Sequence, residues 1–205
     1  VNRVVRDAIA AMADAGATIV EGLEIDGLPE WISDTSVYVR QSRSDLNRFL
    51  GSRKGPVSSF DELTEAGAFD ELNDLIPAIA AGPEQVEGDA EVTRLRLNQE
   101  HFRRLLRTLF ADSGAALIVY PTVQVPAPTH DGLRSGEYTA LTFPTNTVIA
   151  SQAGFPAVSI PVGFTESGLA VGLEVLGTPF TEQRLLQFAA ALAPLVDARR
   201  APVLG

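Results

Sequence analysis

Apolar positions switch between helical and strand-like spacing along the chain, and the switches outline its elements. Val1, Val4, Val5, Ala8, Ile9 and Met12 recur three and four apart, which predicts a helix with one apolar face, ended by Gly16. Ala17 to Val20 then reads as a short strand, and residues 22–35, with Pro29 and the only tryptophan, Trp31, as an irregular link. A second helix is expected from about Thr35 to Leu50, burying Val39, Leu46, Phe49 and Leu50, before a breaker-rich loop over 51–57. Ser59 followed by Glu62 matches a capping box, so a short helix starts at Phe60. Residues 66–88 are acidic and punctuated by Gly, Pro and Ala, as a surface segment would be. Asp89 is placed to cap a long helix reaching about Ala111, with Leu95, Phe102, Leu105, Leu106, Leu109 and Phe110 inward.

The second half changes character. After Gly114, residues 115–120 form an unbroken apolar run stopped by Pro121, the pattern of a buried central strand. Residues 121–138 hold three prolines and read as a long loop, the kind of segment that carries function at strand ends. A helix from about Thr145 to Ala153 precedes strands at 157–164 and 169–176, joined by the tight Glu166-Ser167-Gly168 turn into a hairpin. Thr181 is expected to cap a last helix that buries Leu185, Leu186, Phe188, Ala189, Leu192 and Leu195.

Composition narrows the chemistry. The 205 residues suffice for one domain with a real core, and the net charge of −10 lacks the basic stripe that phosphate binding needs. Nucleic acid is therefore not an expected partner, and no apolar run approaches the length of a membrane helix. Cysteine is absent, which excludes disulfides and thiolate chemistry and fits a cytoplasmic protein, although a secreted one would look the same. The chain opens at Val1, directly in helical periodicity, as if a segment upstream had been removed.

The most specific signal lies near the end. Residues 146–164 contain A-G-F-P-A (153–157) and P-V-G-F (161–164), and G-L-A-V-G-L-E-V-L-G (168–177) follows, with Pro179-Phe180 and Glu182 beyond. This block resembles the C-terminal part of the amidase-signature hydrolases. The resemblance extends upstream through Leu117 to Thr122, Val125 to Pro128, the Asp45–Leu50 and Ser59–Leu63 stretches, which look like the peptide-amidase-like bacterial branch, and Ala8 to Val20. It is weak only over 66–92.

The resemblance implies an α/β fold, the C-terminal part of the amidase-signature fold, with a mixed β-sheet covered by helices. Residues 1–205 would be one piece of a single domain: 1–114 a mostly helical periphery, and 115–205 a strand, pocket loop, helix, β-hairpin and final helix. Such enzymes cleave carboxamides without a cofactor, using a nucleophilic Ser, a second Ser on a cis peptide and a Lys base that must be able to lose its proton.

That machinery has no counterpart here. The only lysine is Lys54, in a polar loop beside Gly55-Pro56, and Ser58-Ser59 reads as a helix cap rather than part of a Gly/Ser-rich oxyanion loop. His130, Asp131 and Ser135 are neighbours in sequence, which is not triad geometry, and two histidines without ligand spacing give no metal site. No catalytic residue is assigned. The family's triad lies N-terminal to the matched region, so the expected partners are the N-terminal part of the same amidase and a small amide substrate. Thr122, Gln124, Phe143, Thr145 and Asn146 are carried over as pocket-wall, substrate-binding residues. The alternatives are a truncated inert homologue or interaction module, and one chain of an amidotransferase-type complex.

Overall fold

A computed structural model describes residues 1–201. The chain divides into two units. The first comprises residues 1–28, 101–127 and the chain from Pro144 onward; the second comprises residues 29–100 and 128–143. Helix α1 (Asn2–Asp14), the C-terminal half of α6 (Ala90–Ser113), strand β1 (Ile118–Pro121), helix α8 (Thr147–Ala153), strands β2 (Ala157–Phe164) and β3 (Ala170–Leu176) and helix α9 (Glu182–Val196) belong to the first unit.

The first unit is built on a three-stranded antiparallel sheet with the order β1-β3-β2. The hairpin forms as its spacing predicts, and β3 sits at the centre, with Val171, Leu173, Glu174, Val175 and Leu176 all buried. Val171, Leu173 and Val175 point to one face and pack with Val5, Ala8 and Met12 of α1, Ile160 and Val162 of β2, and Leu185 and Leu192 of α9. Gly163 marks a bulge in β2, where an added Cβ would lie 2.6 Å from Val4 of α1, so the absent side chain lets helix and strand meet. Elsewhere in this unit the end of α6 meets the end of α8, where the Phe110 and Phe155 rings stack at 6.2 Å and Arg103 donates to the Ala153 carbonyl at 2.8 Å. Gly154 ends α8 in the left-handed region and turns the chain into β2.

The second unit holds α2 (Leu28–Thr35), α3 (Tyr38–Gly51), α4 (Phe60–Glu65), α5 (Leu75–Ala80), the start of α6 and α7 (His130–Arg134). Polar contacts organise it. The Arg43 guanidinium reaches Asp61 at 2.9 Å, the Gly82 carbonyl at 3.0 Å and Glu84 at 3.2 Å, and Asn47 accepts from the Phe60 amide. Asp89 caps α6 through the Val92 amide as expected and also takes a two-pronged contact from Arg40. That contact is the main reason its carboxyl is held down at about 2.

Several expectations are corrected. Residues 17–20 form no strand: the segment is extended, with Val20 48% exposed, and no ladder partner stands beside it among the described residues. A strand exists only through its neighbour, which local propensity does not supply. For the same reason β1, read as a central strand, is an edge strand among the described residues, half-buried along its length and paired there with β3 alone. The link over 22–35 contains α2, and the surface stretch 66–88 contains α5, whose Ile79 is buried. Phe49 in α3 is exposed under the Arg53 guanidinium, and Leu186 and Leu195 in α9 are exposed as well. Thr181 stands at the N-cap position of α9, but its side chain makes no capping bond; its hydroxyl donates back to the Thr178 carbonyl.

Candidate functional site

Four of the five site residues expected from sequence gather where β1 ends. Thr122 continues the ladder by one bond, its amide donating to the Gly172 carbonyl at 2.9 Å. The chain then leaves the sheet and returns at Pro144. Val123 and Thr145 form an isolated antiparallel bridge, flanked by Gln124 N–H to the Pro144 carbonyl and Asn146 N–H to the Thr122 carbonyl, both 3.0 Å. Asn146, buried at the start of α8, closes this clasp with its side chain: Nδ2 donates to the Pro121 carbonyl at 2.8 Å and Oδ1 accepts from Gln124 Nε2 at 3.0 Å. Thr145 and Thr147 hydroxyls meet at 2.9 Å.

Four of the five expected residues therefore share one corner of the first unit, and Asn146 and Gln124 hold each other. Asn146 does not cap α8 with its side chain; it ties the pocket loop to the strand. Phe143 falls in the second unit, half-buried, with its ring edge-to-face on Tyr138 at 5.8 Å and its amide on the Thr139 carbonyl.

The face of the sheet opposite the core cluster adds residues that sequence reasoning missed. Tyr120, Glu174 and Ser159 stand in register across β1, β3 and β2. The Tyr120 hydroxyl donates to Glu174 Oε1 at 3.2 Å. Glu174 is only 4% exposed, and burial pushes its carboxyl up from its ordinary value against the weaker downward pull of the Tyr120 hydroxyl. One register step along, the Thr122 and Ser159 hydroxyls meet at 2.6 Å above Gly172. Glu174 had a visible signal, being the one charged residue in an otherwise apolar strand. Ser159 had none, because its importance lies in a residue two strands away.

A cavity of about 810 Å³ opens along the free edge of β1. It is walled by Ile9 and Met12 of α1, Ile19 and Leu23 of the extended segment, and Leu117 and Tyr120. It is overwhelmingly apolar. His130, Asp131 and Ser135 form no triad: Asp131 pairs with Arg134 at 3.3 Å, and the Ser135 hydroxyl donates to the Gly132 carbonyl. Lys54 is exposed in its loop. No helix among the described residues is long and apolar enough to cross a membrane.

Comparison with known proteins gives these observations a context. The amidase family model matches residues 1–186. A fatty acid amide hydrolase from Arabidopsis thaliana is 34% identical over 121 residues, covering 56% of this chain and 19% of that protein. A glutamyl-tRNA(Gln) amidotransferase subunit from Desulfotalea psychrophila is 28% identical over 208 residues, covering 96% of this chain and 42% of that protein. Among solved structures, the peptide amidase from Stenotrophomonas maltophilia superposes with a TM-score of 0.73 at 24% identity, over 98% of this chain and 41% of that one. The chain thus spans less than half the length of these relatives, and some relatives are amidotransferase subunits.

Proposed function

The chain belongs to the amidase-signature family, and on that premise we propose that it is the C-terminal portion of a hydrolase that cleaves carboxamide C–N bonds. In this reading residues 1–205 are part of a single domain. The Ser–cis-Ser–Lys triad is supplied by an N-terminal part of the same amidase, and this chain by itself is inactive. The observation that carries the proposal is the cavity along the edge of β1 that has no ladder partner among the described residues. Its wall of Ile9, Met12, Ile19, Leu117 and Tyr120 is too apolar for a finished surface, and an open strand edge is a template for a further strand. A segment entering there would pair with β1, give the extended 17–20 stretch a neighbour and make the larger mixed sheet that the family resemblance implies.

What the chain contributes is recognition. Thr122, Gln124 and Thr145 would wall the acyl pocket with hydrogen-bonding groups, and Asn146 would hold Gln124 in place; Phe143, in the second unit, is a pocket residue only as the family resemblance implies. Gln124 is suited to this: its Nε2 is engaged by Asn146, which leaves its carbonyl oxygen without a partner among the described residues.

The test is reconstitution. A polypeptide carrying the Gly/Ser-rich loop and lysine is added to this chain, and ammonia release from simple carboxamides is followed. Activity that needs both parts is the expected result; turnover by this chain alone, or none from the two together, refutes the proposal. An amidotransferase-type role is a second reading, favoured by the match to the Desulfotalea psychrophila amidotransferase protein over 96% of this chain. It predicts that the ammonia is passed to an acceptor rather than released.

A further inference from the structure

We propose that the Thr122 and Ser159 hydroxyls form a paired recognition point for an amide group in the acyl portion of the substrate, and that Gly172 exists in β3 to let the pair form. The inference rests on the reading of this corner as a pocket wall, and it adds Ser159 and Gly172 to that wall.

Three observations carry it. The hydroxyls lie 2.6 Å apart although Ser159 sits on β2 and Thr122 one residue past β1, two strands separated by β3. A Cβ built on Gly172 would lie 2.8 Å from Thr122 Oγ1 and 3.0 Å from Ser159 Oγ, so any other residue would push them apart. Glycine inside a central strand weakens it, and Gly172 lies outside the positive-φ region that would demand glycine for backbone reasons. What remains is the space it leaves.

The chemistry follows from the hydrogen count. Each hydroxyl has one proton and two lone pairs. Their mutual bond uses one proton, leaving one to donate and lone pairs to accept, side by side on an exposed part of the sheet. A carboxamide offers the complementary pair, a carbonyl oxygen and an N–H, whereas a hydrocarbon chain satisfies neither. Next in register with Ser159 lies the buried Glu174, already engaged by Tyr120, so the polar strip continues across the sheet.

The experiment uses the reconstituted amidase and compares a dipeptide amide with an aliphatic amide of similar length. Ser159→Ala and Thr122→Val are each expected to lower the ratio of kcat/KM values, dipeptide amide over aliphatic amide, about tenfold, the worth of one neutral hydrogen bond. The loss should appear mainly in KM. The double variant should do little more than either single one, since the hydroxyls act as a unit, and Gly172→Ala should reproduce it. An unchanged ratio overturns the proposal, because a merely structural role would lower both substrates alike. If the assembled protein hydrolyses neither amide, the function proposed above fails, and binding decides this inference. N-acetylglycinamide titrated into the isotope-labelled chain should then shift the amide resonances of residues 122, 159 and 172, an effect lost in Ser159→Ala. No shift in the parent protein overturns it.

Discussion

Along β3, Val171, Leu173 and Val175 face α1 and α9 and close the core, while Gly172 and Glu174, on the opposite face, leave a gap and bury a carboxyl. The same seven-residue strand thus carries two kinds of sequence. On the core face each position is filled by an aliphatic side chain, the choice that maximises burial. On the other face a glycine weakens the strand and a glutamate must be desolvated, and what results is two hydroxyls in contact and a tyrosine held in place.

Perturbing each face in turn should separate the two. The largest effect is expected from Leu173→Ala, at a fully buried position of the core face. It should cost about 2–5 kcal/mol in denaturant titration; a loss comparable to that of a surface change would mean that the core face is not the stabilising one. Asn146→Ala at the clasp should cost about 1–3 kcal/mol, because the Pro121 carbonyl loses its buried donor. Hydrogen exchange at the Gln124 amide should quicken with it, marking the loosening of the loop rather than of the sheet.

Glu174 gives a pH signature instead. Its carboxyl, with an ordinary value of 4.5, is raised in the folded state chiefly by burial. Below 4.5 folded and unfolded forms both hold the proton and stability is full. As the pH rises past 4.5 and through the higher folded-state value, the buried group must ionise and stability falls. Glu174→Gln should flatten that decline in pH-dependent unfolding. Tyr120→Phe should steepen it, because the Tyr120 hydroxyl bond opposes the rise. A parent protein without the decline would show that the carboxyl is solvated. The smallest effect should be that of Ser159→Ala on stability, within about 0.5 kcal/mol in the same denaturant titration, even though it alters substrate preference.

How far the sequence reached differs between these faces. Periodicity located α1, α6, the hairpin and α9, and the Gly/Pro spacing of the last block pointed to the family, because those features are local. Thr122, Gln124, Thr145 and Asn146 were named together only through the family resemblance; the structure brings them to one corner because the loop between them rejoins the chain at the Val123–Thr145 bridge. Their division of labour was not legible: that Asn146 is spent on Gln124 and the Pro121 carbonyl depends on where the returning chain lies. The 17–20 stretch failed as a strand, and β1 stands at a sheet edge among the described residues, because strand pairing concerns neighbours, which β-propensity cannot supply.

By itself the sequence determined the family, the single lysine in its polar loop, and the alternation that puts Leu173 and Glu174 on opposite sides of one strand. These follow from residue identity and a period of two. Only the tertiary structure decided that Ser159 meets Thr122 across Gly172, that Tyr120 reaches Glu174, and that the edge of β1 lies open beside an apolar cavity. Each of these is a contact between segments dozens of residues apart, set by register and packing, and no local pattern encodes a distance of that kind.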